Sequence, residues 1–452
     1  GRGREPARQA ARAGRLRQVV SSAARAPRRV AITGAGLVNP FQPVPSGDGQ
    51  PGAAEAFFAA LCQGRSALRL HRQDDMPKPL AVPAAVCEGF VPAAHLGKAL
   101  AGMMERFAQL GVAAAFDAWR DAGLPRSAEP SAFASADAGV CWGTSMSNIV
   151  AIERGYRDFW EQGRERIPPM MVVMGMSNSV AAHISIQLGL ANAALTYSMA
   201  CASGAIAIGE AFKRIREGSA KLMLAGGSDA PLAYGMVRAW EALRLLAPGD
   251  EASAPGACRP FDASRAGLVL GEGAAALVLE DWEHARARGA RIYAELAGYG
   301  TNADHRHLVR PDTDGQVAAM RLALADAALA PDEVGYVNAH GTATREGDPI
   351  EIAAIRETFG PGAASLAVSA TKAAHGHLMA GAGAIEALVT TLALHHDALP
   401  PTAHLDRVDE ACLGVAHLQG QARRGGGVRA ALSNSFAFGG SNAVLAFKAL
   451  ER

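Results

Sequence analysis

No uninterrupted apolar stretch comes near the roughly 18 residues that cross a bilayer as a helix, so the sequence reads as a soluble protein with no membrane partner. Cysteine is sparse: the six residues at 62, 87, 141, 201, 258 and 412 form no CxxC pair. That spacing argues against a zinc ribbon and, in so long a chain, against a disulfide scaffold. The expected compartment is therefore reducing and cytoplasmic. Lysine is scarce, with six residues against 38 arginines, so a lysine inside a motif stands out. Short tandem repeats are missing as well, which argues against a solenoid.

What is present is a large apolar fraction, 49% against 19% charged residues, enough for a sizeable core in 452 residues. Length alone allows two to three domains or one large double-layered unit. The formal charge of +1 is unevenly spread: residues 1–29 hold nine arginines and one acid, Glu5. Residues 1–28 read as a loosely ordered extension with no part in the chemistry. Organellar import through this leader and a basic arm for nucleic acid are weaker readings, and no nucleic-acid partner is expected.

From Arg29 onward, apolar strand-like runs alternate with helical stretches, as at Ala138–Trp142, Lys221–Gly226, Gly273–Leu279, Ile292–Tyr299, Val334–Ala339 and Ser365–Ala370. This predicts an α/β protein with buried, largely parallel strands. Residues 40–55 and 125–137 look like surface insertions. Polar strand-to-helix junctions near 201, 340 and 377 suggest two halves of related design, 29–290 and 291–452.

Cys201 follows the apolar run Ala194–Ala200 and precedes a helical pattern (Ile206, Gly209, Phe212, Ile215). That is strand, sharp turn, helix. At a helix N-terminus, unpaired N–H groups and the macrodipole favour negative charge, which predicts a thiol pKa below the free value of about 8.5. His340 directly follows another apolar run, at the strand end where open α/β sheets bind ligands. Asp348-Pro349 then reads as the N-cap and first residue of a helix. The next junction carries Lys372, His375 and His377, followed by a small-residue helix with Glu386 on it. A buried Glu386 needs a partner, and Lys372 is the obvious one. An adjacent lysine opposes a cation, so no metal is expected. Near the C-terminus, Asn434-Ser435-Phe436-Ala437-Phe438-Gly439-Gly440 reads as a hairpin or a mobile flap with N–H groups facing a reacting oxygen.

Cys201, His340, Lys372, His377 and the Asn-Ser-Phe-x-Phe-Gly-Gly loop, in that order, resemble the elongating β-ketoacyl–acyl carrier protein synthases of the type II kind. The resemblance runs from about Val30 to Phe447. It implies the thiolase fold: two pseudo-symmetric βα halves in α-β-α-β-α layers. It also implies a homodimer, with a heterodimer beside a chain-length-factor-like subunit as the alternative. The implied reaction is a decarboxylative Claisen condensation of malonyl-carrier protein with an acyl-enzyme, in fatty-acid or type II polyketide synthesis. The phosphopantetheine arm arrives on the carrier protein, and no cofactor of the chain's own is implied. By the same resemblance Cys201 is the nucleophile, and His340 and His377 stabilise the enolate. Lys372, paired with Glu386, orients His377. The N–H groups of Cys201 and Phe436 form the oxyanion hole, and Phe436 gates entry beside Phe438. Thr342 and Thr344 contact the pantetheine arm, Met146 and Met171 line the acyl tunnel, and Asp348 supports the site.

Two histidines with a lysine separate the chain from synthases that prime with coenzyme A, which pair Cys with His and Asn. Cys412 lies in no thiolase-like motif, and the intact Cys201 argues against a purely structural chain-length factor. Two departures from the family pattern are His375, where Thr is usual, and Ala437, where Gly is usual; Ala437 would stiffen the flap. The two methionines suggest a tunnel for unusual chains, long or polyunsaturated. Outside the family, a structural subunit that shapes a partner's pocket and a cysteine hydrolase are the rival readings. Arg244, near the 240–260 loop, is a candidate contact for an acidic carrier protein.

Overall fold

The computed structural model describes residues 27–41, 52–76, 78–125, 134–166 and 169–451. Residues 1–26 of the arginine-rich leader, and 42–51 and 126–133 of the expected insertions, lie outside the described residues.

Eleven strands form the main sheet: β1 (Val30–Val38), β2 (Ala138–Gly143), β3 (Ala194–Tyr197), β4 (Leu222–Asp229), β5 (Gly273–Asp281), β6 (Ala294–Ala303), β7 (Val334–Asn338), β8 (Ala367–Ser369), β9 (Ala416–His417), β10 (Ala430–Phe436) and β11 (Ser441–Lys448). Their order is β9-β8-β7-β10-β11-β6-β1-β5-β4-β2-β3. The central contact is the antiparallel β1–β6 pair. Outward from it, both sides follow one plan. β1–β5 and β5–β4 are antiparallel and β4–β2 and β2–β3 parallel. On the other side β6–β11 and β11–β10 are antiparallel, and β10–β7, β7–β8 and β8–β9 parallel.

The sheet is therefore mixed, which corrects the expectation of largely parallel strands. Every residue of β1, β2, β4 and β10 is buried. A strand covered on both faces reads as a continuous apolar run whichever way its neighbours point. Burial was legible in the runs; direction was not.

Helices complete the layers. On one outer face, α1 (Arg106–Asp121) packs on β1, β5 and β4, and α2 (Ser179–Leu188) on β2. On the opposite outer face, α4 (Thr313–Asp326) packs on β6 and β11 with α5 (Gly347–Phe359) beside it. Between the two halves lie α3 (Ser203–Arg216) and α6 (Ala382–His396), packed on each other and on strands of both sides. Residues Ala382–Leu394 of α6 are all buried, as a helix with apolar residues all round requires. The α3–α6 contact depends on glycine. A Cβ at Gly204 would lie 2.6 Å from the Ala380 carbonyl oxygen, and one at Gly383 would lie 2.7 Å from the Ala205 nitrogen. That close approach brings the start of α3, with Cys201, against the start of α6, with His377.

Candidate active site

Cys201 sits in a 3-10 turn, Ala200–Ala202, between β3 and α3. Ala200 is held at φ +43, a left-handed conformation costly for a residue with a Cβ. Ser203 clasps the turn: its hydroxyl donates to the Ala200 carbonyl at 2.7 Å and accepts the Met199 N–H at 2.8 Å. The strand–turn–helix reading of the sequence is what the chain forms.

His377 lies 3.0 Å from the sulfur, through Nε2 to Sγ. Its main chain is fixed by the segment before β5, with His377 N–H to Val269 O at 2.7 Å and Gly271 N–H to His377 O at 2.9 Å. Gly376 makes the turn into it at φ +69, where a Cβ would also crowd Ala85 at 3.1 Å. The Met379 N–H donates to His377 Nδ1 at 3.2 Å. His340 follows β7, with its ring centroid 5.5 Å from that of His377. Lys372 Nζ donates to His340 Nδ1 at 3.2 Å, to the His340 carbonyl and to Glu386 Oε1. Both Lys372 and Glu386 are fully buried. The Lys372–Glu386 pair is thus present, but its hydrogen bonds reach His340 and not His377, the histidine the resemblance assigned to it.

An imidazole nitrogen that accepts a hydrogen bond carries no proton. Because Nδ1 accepts in both rings, the proton of each neutral imidazole is on Nε2. Both rings are neutral: burial, and then the Lys372 charge, hold their pKa values well below the usual histidine range. The site therefore presents two neutral N–H donors.

Sequence reasoning missed the carboxylates that hold this arrangement. Glu351, buried on α5, accepts the N–H groups of His340 and Gly341, each at 2.8 Å, and Asn434 Nδ2 at 3.2 Å. It ties the His340 loop to β10. The available signal was an acid three residues after Asp348, with apolar neighbours. Asp348 is not the expected cap. The helix starts at Gly347, two residues earlier, and the Asp348 carboxylate turns inward to accept the Phe261 N–H at 2.8 Å. Burial raises its pKa to about 7.

Two further expectations change. Burial pushes the Cys201 thiol up to about 12, the reverse of the shift expected at a helix N-terminus. Lys372 and the N–H groups of Phe438 and Cys201 pull it down, and Asp229 pushes it further up. Cys201 is only 5% exposed, so loss of hydration outweighs the dipole. The second N–H at the sulfur belongs to Phe438, not Phe436. Phe436 is the last residue of β10, where it pairs with Asn442, and its ring centroid lies 6.1 Å from that of His340. Phe438 lies in the flap, stacked on Trp240 at 5.7 Å. Ala437 keeps an ordinary backbone, while Gly439 (φ +88) and Gly440 (φ +73) make the turn.

A cavity of about 620 Å³ reaches Cys201 and is lined also by His340, His377, Thr342, Thr344, Phe436 and Phe438. The hydroxyls of Thr342 and Thr344 are 3.0 Å apart. Arg244, Arg310 and Arg345, all exposed, line the same cavity. Neither Met146 nor Met171 lines it. Met146 packs on the apolar cluster that contains Cys201, Trp240 and Met379, whereas Met171 lies against Gly155. His375 is fully buried, with Nδ1 2.8 Å from Gly376 O and Nε2 3.1 Å from Thr371 Oγ1; burial lowers its pKa to about 3. It braces the loop without facing the cavity. Cys412 is a core residue packed with Leu405 and Phe359, and all six cysteines are free. Among the described residues no cluster of His, Cys, Asp or Glu could hold a metal ion, and no helix is long and apolar enough to cross a membrane.

This geometry coincides with the results of comparison with known proteins. Residues 27–285 match the β-ketoacyl synthase N-terminal domain and residues 293–406 its C-terminal domain. The chain is 44% identical to nodulation protein E of Rhizobium leguminosarum bv. trifolii over 349 residues, covering 76% of this chain and 82% of that protein. It is 36% identical to 3-oxoacyl-[acyl-carrier-protein] synthase 2 of Vibrio cholerae, over 93% of this chain and 99% of that one. Among solved structures, a β-ketoacyl synthase from Burkholderia phymatum superposes with a TM-score of 0.83 at 36% identity, covering 94% of this chain and all of that one. A buried cysteine in contact with His377, with a second neutral histidine on the same cavity, in a chain whose residues 27–285 and 293–406 match the two synthase domains, places this chain in the β-ketoacyl synthase family of condensing acyltransferases.

Proposed function

We propose that this chain extends acyl chains by two carbons, condensing an acyl group carried on Cys201 with malonyl-carrier protein to give a β-ketoacyl thioester. The observation that carries the reading is a pair of Nε2–H donors lining one cavity with Cys201, each fixed by a donor to its own Nδ1. A cysteine hydrolase needs a base that takes the thiol proton, and a ring with Nε2 already protonated cannot serve.

In the first half-reaction Cys201 Sγ bonds to the acyl carbon of the incoming thioester. The pantetheine sulfur leaves and takes the thiol proton. The oxyanion of the tetrahedral intermediate is held by the N–H groups of Cys201 and Phe438, and the start of α3 favours the developing charge. In the second, malonyl thioester loses carbon dioxide, and the electron pair of the broken bond passes to the thioester oxygen as an enolate. His340 and His377 donate Nε2–H to that oxygen. The enolate carbon attacks the acyl carbonyl, the Cys201 thiolate departs and regains a proton from solvent. No resident cofactor is called for.

The cavity admits the pantetheine arm past Thr342 and Thr344, and the exposed Arg244, Arg310 and Arg345 suit an acidic carrier protein. The protein acts as a dimer. Trp160, Val172 and Ile186, each at least 70% exposed, are apolar residues that a second subunit would cover. Sedimentation of the purified chain tests whether an identical copy suffices.

Intact mass after incubation with acyl-carrier thioesters of graded length and unsaturation tests the activity. One acyl group is expected on the wild type and none on Cys201→Ala. Carbon dioxide release from malonyl-carrier protein should follow. A wild-type chain that no thioester acylates, alone or with a candidate partner subunit, refutes the reading.

A further inference from the structure

Asp229, the last residue of β4, is fully buried. It accepts hydrogen bonds from two separate loops. From the loop after β2 come Thr144 Oγ1 at 3.1 Å, Ser145 Oγ at 2.6 Å, and the N–H groups of Ser145, Met146 and Ser147 at 3.0 to 3.3 Å. From the other side comes the Ala380 N–H at 3.0 Å, three residues after His377. Successive N–H groups closing on one carboxylate make an anion nest. Ser147 is held in it at φ +46, a conformation the nest maintains.

Both loops border the nucleophile. Met146, inside the nest, and Met379, beside Ala380, pack in one apolar cluster with Cys201. An alkyl chain attached to the sulfur has this cluster as its apolar surroundings. The Met146 N–H is itself one of the donors to Asp229, and Asp229 is bonded on its other side to the Ala380 N–H in the loop that holds His377.

We propose that Asp229 is a positioning residue that couples the Met146 side of the apolar cluster around Cys201 to the His377 loop, so that an acyl chain lodged in that cluster tunes the rate of the condensing step. The inference rests on the condensing activity proposed above and names how that site selects its chain. A carboxylate suits the role because every group facing it is a donor. In Asp229→Asn one oxygen becomes an NH2 that must point at donors, and the clasp on one loop is lost.

The test compares Asp229→Asn and the milder Ser145→Ala, which removes only one hydroxyl donor, with the wild type. The measurements are acylation of Cys201 by short-chain and long-chain carrier thioesters, and carbon dioxide release from malonyl-carrier protein by each acyl-enzyme. The long-to-short rate ratio is expected to change by about tenfold in Asp229→Asn, in the range of couplings carried by packed networks, and by less in Ser145→Ala. A uniform fall in every rate, with the ratio unchanged, would mean that Asp229 only supports the fold and overturns the inference while leaving the condensing activity intact. Should Asp229→Asn fail to fold, the ratio in Ser145→Ala decides alone. A wild type that no chain acylates overturns both proposals.

Discussion

Lys372→Met separates stability from chemistry at this site. The Lys372 nitrogen serves three buried acceptors: His340 Nδ1, the His340 carbonyl and Glu386 Oε1. Methionine keeps most of the volume and supplies no donor. Leaving one partner of a buried ion pair alone costs about 3–5 kcal/mol. Glu386 sheds part of that cost by protonating, since burial already raises its pKa to about 7 with Lys372 beside it. The denaturant midpoint should fall accordingly, and Lys372→Met with Glu386→Leu should recover most of it, because an apolar pair of similar volume replaces a buried ion pair at little cost. Activity should not recover. Without Lys372, His340 Nδ1 has no fixed donor, the Nε2–H tautomer is no longer imposed, and one enolate donor is lost. Losing one such donor slows a reaction by about 10²–10³-fold. Decarboxylation of malonyl-carrier protein by pre-acylated enzyme should fall by that factor in both variants, while acylation of Cys201, held by the N–H groups of Cys201 and Phe438, falls far less. A double variant that regains both stability and decarboxylation would refute the argument that Lys372 acts through His340.

Two pH dependences follow from the same burial. Both histidines are held neutral with pKa values well below 6.5, and the neutral form is the working one. Decarboxylation by the acyl-enzyme should stay level as pH falls through 6.5 and decline only further into acid; an acid limb near 6.5 would show an ordinary histidine instead. The Cys201 thiol, pushed up to about 12, should alkylate slowly with iodoacetamide at neutral pH. Its rate should rise about tenfold per pH unit up to pH 10, as the thiolate fraction does. A plateau below pH 9 would show that the dipole and N–H groups outweigh burial.

The sequence by itself determined the chemistry-bearing residues and their local settings. Cys201 had to lie at a strand-to-helix turn, because the apolar run ends and the helical period begins there, and His340 had to follow a buried strand. The order of Cys201, His340, Lys372, His377 and the Asn-Ser-Phe-x-Phe-Gly-Gly loop was enough to identify the family. Tertiary structure decided which group touches which. Lys372 is five residues from His377 in the chain but bonds His340, because Gly376 turns the backbone and the segment Val269–Gly271 holds His377 away. The donor to the sulfur is Phe438 and not Phe436, because Phe436 is committed to the β10–β11 ladder. The thiol pKa reversed direction because helix position can be read from spacing, whereas depth of burial is set by how α3 and α6 pack. The roles of Asp229 and Glu351 could not be read for the same reason. The worth of each lies in N–H groups brought to it from other loops. Hydrogen-bond partners remote in the chain are fixed only when the layers close, so local patterns could name the reacting groups but not the network that aims them.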